Sequence, residues 1–115
     1  MVEDPAKGNF YLADATGLGT QDASKALACE LSDSVLKCGG KGFPNFSGDM
    51  TKLATTGSSS GWSIDSNDNI NWSAKPNMKF TVGMGTANEL WAEVCPHHFT
   101  VHGTAKAVYD QVETE

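Results

Sequence analysis

The sequence contains no arginine, and all eight of its basic residues are lysines. It therefore lacks the planar guanidinium group that clamps a phosphate or a carboxylate through two hydrogen bonds. Fourteen acidic residues outnumber the lysines and give a formal net charge of −6 at pH 7. Because a phosphate backbone repels a protein of this charge, we expect no nucleic-acid partner and no attraction to anionic membranes.

Long apolar runs are also missing from the chain. No stretch approaches the roughly 20 apolar residues that a membrane-spanning helix requires, so we expect no membrane span. The chain opens on the short polar segment 1–5 rather than on an apolar signal region. We interpret this start as that of a mature secreted chain from which a signal has been removed.

Recognisable catalytic motifs are scarce. Residues 57–61, Gly-Ser-Ser-Ser-Gly, match the G-x-S-x-G pattern in letters only, because no strand–turn–helix pattern surrounds them. No pair of carboxylates stands out as a candidate for glycoside hydrolysis. The sequence therefore favours a protein that binds rather than an enzyme.

The composition that remains is typical of β structure. Twelve glycines and many Ser, Thr, Asn and Asp residues favour turns and strands. At 115 residues the chain is predicted to form one domain over residues 1–115, with loose termini at 1–9 and 111–115. Short alternating segments predict an all-β fold, an antiparallel sandwich or barrel. The predicted strands are 10–13, 50–53, 61–64, 70–73, 79–82, 89–95, 99–102 and 105–109.

Two cysteines close together, Cys29 and Cys38, allow two interpretations of residues 22–38. In a hairpin, Cys29 lies opposite Cys38 and Leu31 opposite Leu36, with a four-residue loop 32–35, and a disulfide closes readily. In a helix the two sulfurs point to opposite sides and cannot bond. Apolar residues at four-residue spacing keep a short helix near residues 22–31 open. We favour the hairpin and the disulfide, which indicates an oxidising, extracellular location; Cys95 is left over.

A second hairpin is clearer. Residues 61–64 and 70–73 alternate apolar and polar side chains around the polar turn 65–69. Trp62 and Trp72 then share one face, where they form part of the core or stack on a sugar ring. Trp91 alternates with the apolar face of its own strand and is the better candidate for exposure. All three tryptophans are candidate ligand-binding residues.

The three histidines, His97, His98 and His102, lie within six residues and close to Cys95 and Glu93. These are the ligand types that zinc and copper prefer, so the cluster predicts a zinc or copper site as an alternative function. On an extended strand His98 and His102 share a face and His97 points away, which weakens that prediction. Apart from this alternative we expect no cofactor.

Two N-glycosylation sequons are present, Asn45-Phe46-Ser47 and Asn71-Trp72-Ser73. Each fits the pattern N-x-[ST] without a central proline. Together with the cysteine pair, they favour a eukaryotic secreted protein and make Asn45 and Asn71 glycosylation candidates.

Several segments together resemble the small secreted β-domains of filamentous fungi that occur in cell-surface and effector-like proteins. They are residues 10–12, the stretch from Cys29-x-Leu31 to Leu36-x-Cys38-Gly39-Gly40, the hairpin 62–73, Val94-Cys95, and Val101-x-Gly103-x-Ala105. This resemblance implies a non-enzymatic protein with an even number of cysteines, and the third cysteine departs from it. We therefore predict a secreted, non-catalytic protein that binds a polysaccharide or a protein surface at a cell wall or host surface. The alternatives are the metal-binding protein above and a carbohydrate-binding module that uses an exposed tryptophan.

Overall fold

The structure, a computed structural model, describes residues 1–47, 50–83, 88–93, 103–107 and 112–114. These residues contain thirteen β-strands and a single 3₁₀ turn, which confirms the all-β class. The strands are β1 (Val2–Asp4), β2 (Gly8–Leu12), β3 (Gly19–Thr20), β4 (Cys29–Ser32), β5 (Val35–Cys38), β6 (Lys41–Gly42), β7 (Met50–Lys52), β8 (Trp62–Ile64), β9 (Ile70–Trp72), β10 (Lys79–Val82), β11 (Leu90–Glu93), β12 (Thr104–Ala105) and β13 (Val112–Thr114). A search of the same residues finds no helix with the length and apolar character of a membrane span.

The strands form four small sheets, ordered β12-β1-β2-β3, β10-β11-β7, β13-β4-β5-β6 and β8-β9. Antiparallel pairing predominates as predicted, but β13 runs parallel to β4. A bridge between Phe80 and Gly103 joins β10 to the chain just before β12, and a bridge between Asn69 and Lys106 joins the β8-β9 hairpin to the same region. These bridges connect three of the four sheets, and Cys29, Leu36 and Cys38 of the β13-β4-β5-β6 sheet are buried in the same core.

The cysteine hairpin has the predicted register. Cys29 pairs with Cys38 and Leu31 with Leu36, and the two sulfurs form a disulfide. The loop is tighter than expected, because Ser32 pairs with Val35 and only two residues remain in the turn. The helix considered near residues 22–31 shrinks to the 3₁₀ turn Ala23–Lys25, since pairing with β5 holds the chain extended from Cys29 onwards.

The N-terminal segment differs from the prediction that residues 1–9 are loose. β1 lies inside its sheet, paired with β2 on one side and β12 on the other. Val2 and Asp4 are buried while Glu3 between them is half-buried, so the segment has the alternation of a strand. At the other end, Val112–Thr114 form β13 rather than a frayed tail, and residues 111 and 115 lie outside the described ranges.

The core is built from alternate residues of these short strands. β2, β10 and β11 each turn two or more apolar side chains inward, among them Phe10, Leu12, Phe80, Val82 and Leu90. The core also contains a void of about 50 Å³, lined mainly by these and other apolar side chains.

Candidate functional site

Two of the three tryptophans belong to the core. Trp62 and Trp72 are each less than 5% exposed, and their rings stack with centroids 5.8 Å apart. Phe43 and Phe46 complete an aromatic cluster with them, and Phe46 meets Trp72 edge-on at 5.5 Å. Both indole N–H groups are satisfied internally, that of Trp62 by Ser59 Oγ and that of Trp72 by the carbonyl of Ser60. Burial leaves neither ring a face for a sugar, so the prediction of ligand binding by Trp62 and Trp72 is not supported.

Trp91 lies in a different environment. Its neighbours in β11, Leu90 and Ala92, face the core, so alternation places the indole on the opposite face of the β10-β11-β7 sheet. There Trp91 is half-buried and pairs across the sheet with Lys52 of β7. Glu93 on the same face is fully buried. The accessible part of this face therefore lies at the Glu89 end of the strand.

Charged groups border the indole. The Lys52 Nζ lies 5.9 Å from the centroid of the Trp91 ring and forms an ion pair with Glu89. Both side chains of this pair are about one-third or more exposed, so the pair adds at most about 1 kcal/mol of stability. Leu18 adjoins Glu89 through an antiparallel bridge and is 38% exposed. Its apolar side chain extends the surface beyond the ion pair.

A further carboxylate lies close to Lys52. The Asp14 carboxylate accepts hydrogen bonds from the hydroxyl and the backbone N–H of Thr16 and from the N–H of Leu18. These bonds, chiefly that from the Thr16 hydroxyl, hold the pKa of Asp14 below its usual range, and the positive charge of Lys52 adds a smaller effect. Asp14 therefore stays ionised near this surface, and the ammonium of Lys52 lies between acidic groups.

The backbone of Gly83 lies close to one edge of the Trp91 indole ring. A Cβ atom at Gly83 would lie only 2.9 Å from the indole nitrogen of Trp91, so a larger residue there would displace the ring. The Gly83 carbonyl in turn accepts a hydrogen bond from Lys7 Nζ. We call the resulting group, Leu18, Lys52, Gly83, Glu89 and Trp91, the Trp91 surface.

Sequence reasoning identified Trp91 but missed the rest of this surface. Glu89 was open to inference, because residues two apart on a strand share a face. Lys52 and Gly83 were not, because their positions depend on pairings between distant segments that no local pattern shows. No sequence pattern indicated that Leu18 belongs to this surface, because it lies in a glycine-rich segment typical of an ordinary turn.

The predicted metal ligands His97, His98 and His102, and the leftover Cys95, lie outside the described residues. Within the ranges that are described, no group of three or more His, Cys, Asp or Glu side chains is placed to hold a metal ion. The zinc or copper site therefore stays a prediction.

The two sequons are both at the surface, where Asn45, Ser47, Asn71 and Ser73 are exposed. In each case the central aromatic residue is buried in the aromatic cluster. The two asparagines differ in the hydrogen bonds that their side-chain amides make.

Comparison with protein-family models, with curated proteins and with solved structures finds no match to this chain. The resemblance to small secreted fungal β-domains stays a prediction. What the protein does is therefore inferred from its own residues and their geometry.

Proposed function

We propose that this chain is an extracellular, non-catalytic binding protein whose contact surface is the Trp91 surface. Its partner is a polysaccharide or a protein at a cell wall or host surface. The observation that carries the proposal is the contrast between tryptophans: Trp62 and Trp72 are built into the core, whereas Trp91 is half-buried among charged side chains.

The extracellular part of the proposal is supported by the Cys29–Cys38 disulfide. Reducing compartments keep most thiols free, so a structural disulfide is typical of secreted proteins. The net charge of −6 suits a partner that is neutral or basic rather than a nucleic acid. The cell-wall or host-surface setting rests on the resemblance to fungal secreted domains.

The binding part is supported by the chemistry of the Trp91 surface. Tryptophan offers a large apolar area with a polar N–H, and it is among the residues most often dominant in binding energy. A rim of charged groups around such a ring excludes water from the contact and fixes the orientation of the partner. Lys52 and Glu89 form such a rim beside Trp91.

A carbohydrate-binding module is the second candidate, favoured by the same ring. Sugar hydroxyls both donate and accept hydrogen bonds, and the Glu89 carboxylate and the Lys52 ammonium supply an acceptor and a donor beside the indole. The Lys52 side chain already lies over the ring. Stacking on a sugar would therefore require Lys52 to swing aside, which its partly exposed, flexible side chain permits.

The test compares binding by the wild-type protein and by Trp91→Ala. The probes are an array of plant, fungal and animal polysaccharides and an array of purified extracellular proteins. Loss of a dominant Trp contact weakens binding by roughly thirtyfold or more, so we expect Trp91→Ala to lose most binding to whichever probe is recognised. Ser63→Ala, on the exposed side of the β8-β9 hairpin, is the matched control and should bind normally. Wild-type binding to no probe, or equal binding by Trp91→Ala, contradicts the proposal.

The metal-binding alternative has a separate test because its histidines lie outside the described residues. Elemental analysis of the purified protein, with thermal unfolding before and after addition of zinc or copper, measures it directly. Bound metal, or a rise in melting temperature that His98→Ala abolishes, supports that alternative. If neither is observed, the metal site is contradicted and the Trp91 proposal is unaffected.

A further inference from the structure

We propose that Asn45 is the N-glycosylation site of this protein and that Asn71, the second sequon asparagine, serves instead as a structural hydrogen-bond donor. The inference rests on the extracellular part of the proposed function, because the glycan transferase acts only in the secretory compartment. It is independent of the Trp91 surface.

Asn45 meets the needs of the reaction. Its side chain is exposed, and the central Phe46 is buried at 3% exposure, so Asn45 and Ser47 both face solvent from a segment outside the strands. The segment is held in place: the Phe43 carbonyl accepts a hydrogen bond from the N–H of Ser59, and the Ser47 carbonyl accepts one from Thr51 Oγ1. A glycan on Asn45 therefore extends into solvent while the aromatic cluster beneath stays unchanged.

Asn71 has the same exposure but a different role. Its Nδ2 donates to Asp65 Oδ2 at 3.2 Å and to the carbonyl of Asn69 at 3.2 Å. Asn71 also lies within β9, where it pairs with Ser63 of β8. Both amide hydrogens thus help to close the turn of this hairpin.

The serine of the second sequon is packed against Gly61, just before the opposite strand of the hairpin. A Cβ atom at Gly61 would lie only 2.4 Å from Ser73 Oγ, so the hydroxyl rests against the Gly61 backbone, and the N–H of Ser73 donates to the Gly61 carbonyl. Hairpins close in microseconds, faster than a chain is elongated or modified. The hairpin turn that holds the Asn71 amide therefore closes early, whereas Asn45 lies outside the described strands.

The chemistry explains why this difference matters. In the transfer, Asn45 Nδ2 forms a bond to the anomeric carbon of a lipid-diphosphate-linked oligosaccharide. The bond from that carbon to the diphosphate oxygen breaks, one Nδ2 proton is released, and the lipid diphosphate leaves. The modified amide keeps a single hydrogen. At Asn71 the same step would remove one of the two turn hydrogen bonds. At Asn45 no such bond is present among the residues that the structure describes.

The test translates the full chain, behind a cleavable secretion signal, in the presence of rough microsomes. Protease-protected chains are treated with peptide N-glycosidase in heavy-oxygen water and digested with trypsin. The two sequons separate cleanly, because Asn45 lies in the peptide 42–52 and Asn71 in the peptide 53–79, where Pro76 blocks cleavage after Lys75. We expect Asn45 to be labelled about tenfold more than Asn71. This is the ratio that corresponds to the free energy of one hydrogen bond to a charged group, the bond that Asn71 would have to break.

Substitutions test whether the hydrogen bonds of Asn71 are the cause of the preference for Asn45. Asn45→Gln should lose nearly all modification, and Asn71→Gln should lose almost none. Asp65→Ala removes the acceptor that holds Asn71 and should raise labelling of Asn71 severalfold without changing Asn45. Asp14→Ala, which removes a similar turn acceptor elsewhere, is the control and should change neither site.

Three outcomes would overturn the inference: Asn45 unmodified in protected chains, Asn71 labelled as strongly as Asn45, or Asn71 labelling unaffected by Asp65→Ala. A natural protein found inside cells with Cys29 and Cys38 as free thiols would instead overturn the extracellular assignment. That result leaves the preference between the two sites in microsomes unchanged, so the two failures are distinguishable.

Discussion

At the scale of single residues, four described residues other than glycine adopt the left-handed region. Three of them are Asp33, Asp68 and Asn88, with φ between 51° and 62°. Asp and Asn tolerate this conformation because their short side chains hydrogen-bond locally. The fourth is Ser34, with φ of 65°, in the two-residue turn between β4 and β5. Positive φ at both turn positions is the type I′ geometry, which favours glycine at the second.

Ser34→Gly should therefore stabilise the protein. Removing the Cβ relieves a left-handed conformation that disfavours an L-residue by about 1–2 kcal/mol, partly offset by the greater chain entropy of glycine. We expect a rise in the free energy of unfolding of about 0.5–1 kcal/mol, measured by urea denaturation. Ser63→Gly, in the interior of β8 where φ is not positive, is the control and should lower the free energy of unfolding. Destabilisation by Ser34→Gly would contradict the turn assignment.

The turn carboxylate Asp65 predicts an acid-dependent stability. Backbone N–H groups of Asn69 and Asn67 donate to it and hold its pKa below the usual range, with Asn71 contributing through its side chain. A carboxyl group with a lowered pKa in the folded state contributes stability above its unfolded pKa of about 3.9. That contribution disappears as the pH falls through the lower, folded pKa.

Asp65→Asn should therefore be less stable than the wild type at neutral pH, and the gap should close on acidification. Urea denaturation at a series of pH values from neutral downwards measures it, and the low-pH end of each curve serves as the internal control. If the free energies of unfolding of the two proteins differ by the same amount at every pH, the Asp65 charge contributes nothing to the stability of the fold.

At the scale of elements, the two hairpins were predictable and the distant pairings were not. For β4-β5 and β8-β9 the partner strands lie within a few residues of each other, so alternation and a polar turn fix the register. The cysteine spacing added a second constraint that favoured the hairpin, because the two sulfurs could not bond across a helix. The pairing of Lys52 with Trp91 joins segments far apart in the chain. Several short segments of the sequence alternate in the same way and could equally have been the partner of β11. The candidate site was therefore only partly predictable.

The two kinds of tryptophan should respond differently to truncation. Trp72 is buried, contacts Phe46 and Trp62, and donates its N–H to the Ser60 carbonyl. Trp72→Ala should lower the free energy of unfolding by about 3–5 kcal/mol, because it opens a large cavity. Trp91→Ala, the matched comparison on the half-buried face, should cost less. Thermal and urea unfolding of both variants measure the difference, and equal losses would contradict placement of Trp91 at the surface.

At the scale of the whole molecule, the N-terminal strand connects parts that are distant in sequence. β1 pairs with β2 and with β12, about a hundred residues away. Asp4, the last residue of β1, is 7% exposed, and its carboxylate links the strand to further parts of the chain. Its Oδ1 accepts hydrogen bonds from the N–H groups of Ala6 and Lys7, which close the turn into β2, and its Oδ2 accepts one from the N–H of Val82 in β10. A segment that reads as a loose, proline-containing start becomes central because of pairings that only the complete fold provides.

Asp4→Ala should therefore destabilise the protein well beyond the loss expected at a surface position. The substitution removes three hydrogen bonds to a charged acceptor and leaves the N–H of Val82 without its Asp4 partner, so we expect a loss of about 3 kcal/mol in the free energy of unfolding. Glu3→Ala, half-buried on the other face of β1, is the control and should change stability by less than about 1 kcal/mol. Amide hydrogen exchange adds a local readout: the N–H of Val82 should lose protection in Asp4→Ala and keep it in Glu3→Ala. If exchange at Val82 is the same in both variants, β1 and β10 are not coupled through Asp4.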